Sequence, residues 1–341
     1  MDPFERYAAQ TRLPFLGRPE QERLAAATAV VLGVGATGSV VADALVRAGV
    51  GTVRLVDRDV VELGNLHRQV LYDERDVREG LPKAEAARRR LAAVNGSVRV
   101  EARVADFVPG NALALLEGAD VVLDGTDTFA ARFLLNDACA ALGVPWVYAG
   151  VVGTAVHGFP VVWGQTACFR CYLPEPPPPG STATCERSGV LGPAVLVAGG
   201  FAASEGLKLL LGQGERAAEG LWVVDVWTRE ARRVGLPRDP ACPTCRGRHD
   251  FLAGEALPAR LCGQRAVALP APAGARLDLE RLADDLAARG RVELRNSFLL
   301  RFVPADAPEQ QLTVFVDGRA IVKGTDEVSL ARSLYAKFVG G

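Results

Sequence analysis

Short apolar runs and helical stripes alternate along the first half of the chain. Ala29–Leu32, Val53–Val56, Val98–Ala102, Val121–Asp124 and, after Pro145, Trp146–Val151 predict strands, several of them apolar enough to be buried on both faces. Thr37–Ala48, Lys83–Val94 and Phe129–Leu142 predict the intervening helices, and residues 5 to 27 predict helical segments broken near Pro14 and Pro19. Strand and helix in strict alternation imply an α/β fold, a doubly wound and mainly parallel sheet. Ligands of such sheets bind beyond the carboxyl ends of the strands.

The texture changes after Gly153. Ala155–Trp163 and Leu221–Asp225 predict an antiparallel extension, with a helix from about Gly192 to Leu211. Between them, Pro174 to Gly180 holds four consecutive prolines and predicts an extended surface loop. From Leu257 a small α+β module begins: a strand near Val267, a helix over Leu277–Ala288, a strand over Phe298–Val303, a hairpin over Leu312–Val322 turning at Asp317-Gly318, and a last helix over Glu327–Phe338. The expected division is residues 1–254, with the nucleotide site in 29–153 and a metal and loop region in 154–254, followed by a module at 255–341.

Composition narrows the class. The chain has 341 residues, 49% hydrophobic and 23% charged, enough for one large core and a smaller one. A formal charge of −1 supplies no global field for nucleic acid or anionic membrane, so no direct nucleic-acid binding is expected. No apolar run is read as reaching membrane-spanning length, and Met1 to Arg12 lacks the order of a secretion signal; a cytoplasmic protein is expected. Seven cysteines in such a chain suit metal ligands or nucleophiles better than disulfides.

The chemistry starts at Gly33-Val34-Gly35-Ala36-Thr37-Gly38 after the first strand. Glycines at these spacings allow a tight turn, close approach to a phosphate and close helix packing, and Asp57 ends the next strand where ribose hydroxyls bind. Alone, this suits NAD. Asn65, Arg68, Gln69 and then Lys83 add polar and cationic groups that suit a triphosphate, which turns the reading to ATP. Asp124 and Asp127 follow the Val121–Asp124 strand, and Asp127 is the better candidate for Mg2+. Cys168-x2-Cys171 and Cys242-x2-Cys245 form two knuckles able to close a tetrahedral, structural Zn2+ site. Cys185 sits outside them on the polar loop, reachable by a substrate. Cys139 reads as core, Cys262 has no motif around it, and His67 reads as a packing or capping residue.

Together, Gly33-x-Gly35-x-x-Gly38, Asp57-x-Asp59, Asn65-Leu66-x-Arg68-Gln69, Lys83, Asp124-x-Thr126-Asp127, Arg132-x3-Asn136 and the paired knuckles resemble the E1-like MoeB/ThiF/HesA adenylyltransferases over about residues 5 to 250. The resemblance implies a homodimer that binds Mg-ATP and adenylates the C-terminal carboxylate of a small ubiquitin-like sulfur carrier ending in Gly-Gly. It implies the glycine turn for the phosphates, Asp57 for the ribose, Asp59 as a further cofactor-binding residue, Arg68 and Lys83 for the triphosphate, Asn65 and Gln69 as ordering residues, and Asp127 for Mg2+. It also puts Cys185 on a crossover segment where some members link covalently to the carrier. One departure is plain: the family's R-Y-x-R-Q reads Arg6-Tyr7-Ala8-Ala9-Gln10 here, with Ala9 where a second Arg reaches the partner's ATP, and Arg6 and Arg12 as candidate substitutes. The C-terminal module resembles an extension of some E1-like bacterial proteins and has no rhodanese-type loop; the closing Gly340-Gly341 reads as accidental. Rival readings are a tRNA-modifying dehydratase, a nucleotide-binding module without turnover, and an NAD-dependent oxidoreductase.

Overall fold

The structure, a computed structural model, describes residues 4–177, 188–217, 220–254, 259–261, 265–271 and 275–340. It divides into two compact units, residues 1–77 with 82–254, and residues 78–81 with 255–341.

The first unit is built on eight strands: β1 Thr28–Leu32, β2 Thr52–Val56, β3 Arg99–Arg103, β4 Val121–Asp124, β5 Trp146–Val152, β6 Ala155–Val161, β7 Leu221–Asp225 and β8 Glu230–Val234. Their order is β3-β2-β1-β4-β5-β6-β7-β8, parallel from β3 to β5 and antiparallel beyond. Ala29 to Leu32 are at most 2% exposed, as a central parallel strand covered on both faces requires. The chain runs outward from β1 to β3 and returns on the other side at β4, so the strand order reverses between β1 and β4. A crevice opens at the carboxyl ends of the strands there.

On one face, helix Phe129–Leu142 packs Phe133, Leu135 and Cys139 into a core shared with Trp146, Phe159 and Phe169, so Cys139 is core as its sequence position suggested. Buried aromatic side chains of this size contribute most of the local stabilisation. On the other face, helix Gly192–Leu210 lies against β4, β5, β6 and helix Ala36–Ala48. This helix corrects one expectation: its 19 residues are long and apolar enough to cross a membrane by length and composition. Half of that stretch is buried inside the protein, with Ala194 and Ala198 packed with Val151 and Val156 of the sheet, and sheet packing accounts for its apolarity.

β8 was not expected. Its Glu-Ala-Arg-Arg-Val sequence is exposed at every position, so it carries no alternation to read, and its backbone pairs with β7.

The second unit is a six-stranded antiparallel sheet, ordered β11-β12-β13-β14-β10-β9, from β9 Ala259–Leu261, β10 Ala266–Leu269, β11 Gly290–Arg295, β12 Leu299–Pro304, β13 Gln311–Phe315 and β14 Ala320–Lys323. Leu279 and Leu286 of helix Leu279–Ala287 and Leu334 and Phe338 of helix Val328–Phe338 cover it at Phe302, Leu312, Val314 and Val322. The first of these helices starts two residues later than Leu277 because Asp278 Oδ1 accepts the N–H groups of Glu280 and Arg281, which fixes the start. The β13–β14 hairpin turns at Asp317-Gly318 as expected, with Gly318 at φ +86°.

Candidate nucleotide site

The glycine turn after β1 and the turn after β4 lie backbone against backbone. Gly33 donates to Val56 O (2.7 Å) and Gly125 to Leu32 O (2.7 Å), so the two turns are bonded to the strands that flank them. A methyl group on Gly38 would stand 1.9 Å from Gly33 O, and one on Gly125 2.2 Å from the same atom. No side chain fits at either place, and Gly33 itself has φ +81°. Gly35 caps helix Ala36–Ala48, whose unpaired N–H groups and positive dipole end therefore open on the crevice, the arrangement that binds phosphates.

Asp57 follows β2 and is 8% exposed. Its Oδ2 accepts Val34 N–H (2.7 Å) and its Oδ1 accepts Asp59 N–H (2.7 Å), which ties the acid to the glycine turn. Burial pushes this carboxyl up, while Lys83 and the two N–H donors pull it down. Lys83 starts helix Lys83–Val94 and is buried; its Nζ donates to Asp59 Oδ2 at 3.0 Å. Burial opposes its charge, but Asp59, Asp57 and Asp127 outweigh that and raise the ammonium above the ordinary lysine value. Lys83, Asp57, Asp59 and Asp127 therefore share one electrostatic neighbourhood. Sequence reasoning missed Tyr72, whose buried hydroxyl donates to Val34 O (2.7 Å) and lies 3.2 Å from Lys83 O, bracing the turn against the lysine helix.

Asn65 closes a short 3-10 turn, Leu63–Asn65, in which its Oδ1 accepts Glu62 N–H (3.3 Å) and its carbonyl accepts Arg68 and Gln69 N–H. Arg68 is half-buried and donates through Nη1 to Gly64 O (2.8 Å); His67 Nδ1 lies 3.1 Å from the same oxygen, a capping position. Gln69 is 4% exposed and its Oε1 has no hydrogen-bond partner among the described residues, while a Cβ on Gly35 would lie 3.8 Å from its Nε2. The Nε2 end, beside the phosphate-type turn, is the one able to donate to a phosphate oxygen, whereas Oε1 can only accept.

Asp124 and Asp127 separate into two environments. Asp124 is fully buried: Oδ1 accepts Thr126 N–H (2.9 Å) and Oγ1 (2.7 Å), and Oδ2 accepts Arg132 Nε (3.0 Å). Arg132 also donates to Thr126 O (2.5 Å), so Asp124 shapes the turn. Asp127, at the tip, is exposed toward Arg58, Lys83 and Arg132, each of whose charge it favours. Thr128 caps the following helix through Ala131 N–H (3.3 Å).

The four knuckle cysteines converge. Cys168 lies 3.8 Å from Cys171 and 3.5 Å from Cys242, Cys171 lies 3.7 Å from Cys245, and all four sulfurs fall within 4.8 Å of one another. Sulfurs arranged tetrahedrally about one zinc at about 2.3 Å would stand about 3.8 Å apart, so the donor set fits a closed structural ion. Helix Phe129–Leu142 holds both knuckles. Asn136 Nδ2 donates to Cys168 Sγ (3.8 Å) and its Oδ1 accepts Phe169 N–H (3.0 Å), while Asp137 accepts Thr244 Oγ1 (2.7 Å) and Phe251 N–H (2.9 Å). Cys185 and Cys262 lie outside the described residues. Arg6 donates to Val94 O (2.8 Å) and Arg12 is exposed, beside Ala9 on the N-terminal turns.

Fold and crevice define a nucleotide-binding α/β protein. A family model described as the ThiF family matches residues 7–244, and the chain belongs to that family. It is 38% identical over 342 residues to the sulfur carrier protein ThiS adenylyltransferase of Bacillus subtilis (strain 168), covering 98% of this chain and 99% of that protein. It is 43% identical over 246 residues to the sulfur carrier protein adenylyltransferase of Thermus thermophilus, covering 71% of this chain and 90% of the other. The crystal structure of Escherichia coli MccB has the same fold, with a TM-score of 0.63 at 24% identity over 72% of this chain and 73% of that one. The protein is an adenylyltransferase.

Proposed function

We propose that the chain transfers AMP from Mg-ATP to the C-terminal carboxylate of a small ubiquitin-like sulfur carrier ending in Gly-Gly. The observation that carries this reading is the meeting, at one crevice, of a phosphate-type glycine turn with Lys83 and the carboxylates Asp57, Asp59 and Asp127. The end-to-end likeness to an adenylyltransferase named for ThiS supports a carrier of that kind, serving thiamine, molybdopterin or tRNA-thiolation chemistry.

A carrier carboxylate is ionised at pH 7 and needs no base. One of its oxygens attacks the α-phosphorus, the bond to the β-phosphate bridging oxygen breaks, and pyrophosphate leaves with that electron pair. The protein's work is positioning and charge stabilisation. In this reading the glycine turn and the N-terminus of helix Ala36–Ala48 hold phosphate oxygens, and Asp57 binds ribose hydroxyls. Lys83, held in place by Asp59, meets the triphosphate together with Arg68. Gln69 donates from Nε2 to a phosphate oxygen, on the turn that Asn65 orders. Asp127 is the residue for Mg2+, which when bound neutralises phosphate charge. The four-cysteine cluster takes Zn2+ as a structural staple, Cys185 offers a thiol for a covalent link to the carrier, and the working form is a cytoplasmic homodimer.

The test is pyrophosphate exchange into ATP with a panel of Gly-Gly-tailed carriers. Exchange that requires a carrier and collapses in Asp127→Ala supports the reading, and its absence across the panel ends it.

A further inference from the structure

Residues 78–81 belong with the second unit, although residues 82–254 follow them in the first. What grips them is Asn296, on the turn between β11 and β12. Its Nδ2 donates to Glu79 O and Gly80 O, both at 3.2 Å, and its Oδ1 accepts the N–H groups of Phe298 (2.9 Å) and Leu299 (3.0 Å). One end of the amide therefore makes the turn and the other end holds the segment. Leu294 of β11 packs on Gly80 so closely that a Cβ there would stand 2.0 Å from its Cδ2, and Gly80 has φ +59°.

This hold bears on the residue that the proposed mechanism sets against the triphosphate. Helix Glu74–Glu79 buries none of its residues, so packing does not fix where it ends, and Glu79 O is one of the terminal carbonyls that a helix cannot pair internally. Asn296 pairs it. Two residues beyond Leu81 comes Lys83, and Pro82 between them has a fixed φ that leaves little slack. Pro82 pairs with Val60 and Lys83 N–H donates to Asp59 O (2.9 Å), so the start of the lysine helix takes its position from the end of β2 and from the segment that Asn296 holds. The Lys83 side chain is 9% exposed, with Nζ on Asp59, so a shift of its backbone moves the ammonium directly. A misplacement of about 1 Å in such a group can cost about 100-fold.

We propose that Asn296 is a positioning residue for Lys83: by fixing the carbonyls of Glu79 and Gly80, it sets where the ammonium meets the β- and γ-phosphates. The proposal rests on the ATP reading of the crevice. A plain staple of the 78–81 segment would change stability alone and would treat ATP and AMP alike.

The test measures Mg-ATP and AMP affinity by calorimetry on the full chain and on Asn296→Asp, Lys83→Met and the double variant, with thermal melts to confirm folding. Asn296→Asp keeps the acceptor that makes the turn and replaces the donor with an oxygen facing two carbonyls. It should weaken Mg-ATP about tenfold and leave AMP, which lacks the β- and γ-phosphates, nearly unchanged. In the Lys83→Met background the same substitution should add no loss, because the group through which it acts is gone. Asn296→Ser, whose hydroxyl also forms such turns, takes its place should Asn296→Asp not fold. Unchanged Mg-ATP affinity in the folded variant, an equal loss for AMP, or a loss that persists in the Lys83→Met background overturns the proposal while leaving the ATP reading intact. Failure of the unsubstituted protein to bind Mg-ATP overturns both.

Discussion

Arg132 Nε stands 3.0 Å from Asp124 Oδ2 in an ion pair whose carboxylate has no exposed surface. The pair shapes the turn that presents Asp127, so one substitution separates structure from chemistry. Arg132→Met leaves the Asp124 charge buried without its partner and should cost about 3–5 kcal/mol. Urea unfolding measures the loss, and an unchanged midpoint would show that the pair is not buried as described.

Asp127→Ala should leave the fold alone, since the side chain is exposed at the tip of the turn. Turnover in carrier-dependent pyrophosphate exchange should fall about 100-fold, with the Mg2+ concentration dependence flattened. A variant with unaltered Mg2+ dependence would move the metal role to another acid.

The crossing of the two turns predicts an effect from a single methyl group. Gly38→Ala and Gly125→Ala each drive a Cβ into Gly33 O, and each should cost about 1–3 kcal/mol or more while abolishing ATP binding. Gly118→Ala, where a Cβ meets nothing within 4 Å although the residue has φ +70°, separates strain from collision.

Metal content is countable. Purified protein should carry one zinc per chain by elemental analysis, and Cys242→Ala should lose it together with cooperative thermal unfolding of the first unit. Full stability after exhaustive chelation would argue that the four thiols pack without an ion.

His157, one of three histidines, sits on β6. Burial, aided by Arg232, holds its ring below the ordinary value of 6.5. Because the folded state disfavours the proton, the stability this group contributes is complete above pH 6.5 and is lost as pH falls through the folded value. Proton NMR titration reads the shift, and His157→Gln should remove that part of the acid slope.

How much of this was legible in the sequence depended on whether a residue's neighbours were local. The apolar run Ala29–Leu32, the glycine spacing and the C-x2-C knuckles signal through short-range pattern, and the strand, the turn and the four-sulfur cluster are all found. β8 escaped because a strand exposed on both sides has no period to detect; β11 differs, since Arg291 to Arg295 alternates polar and apolar residues and its burial alternates with them, a pattern the sequence does carry. The contacts that join distant segments were not legible, even where the residue itself was. Tyr72 bracing Val34, Asp59 claiming Lys83 and Asn136 reaching Cys168 each join segments that no motif places together.

Helix Phe129–Leu142 begins two residues after Asp127, grips the Asp124 turn through Arg132, and one turn later grips the cysteine cluster through Asn136 and Asp137. One helix is thus clamped near its start and again at its middle. Oxidation or demetallation of the thiols would slacken the far clamp and loosen the carboxylate tip at the near one, so thiol damage would reach the nucleotide crevice without touching any residue that lines it.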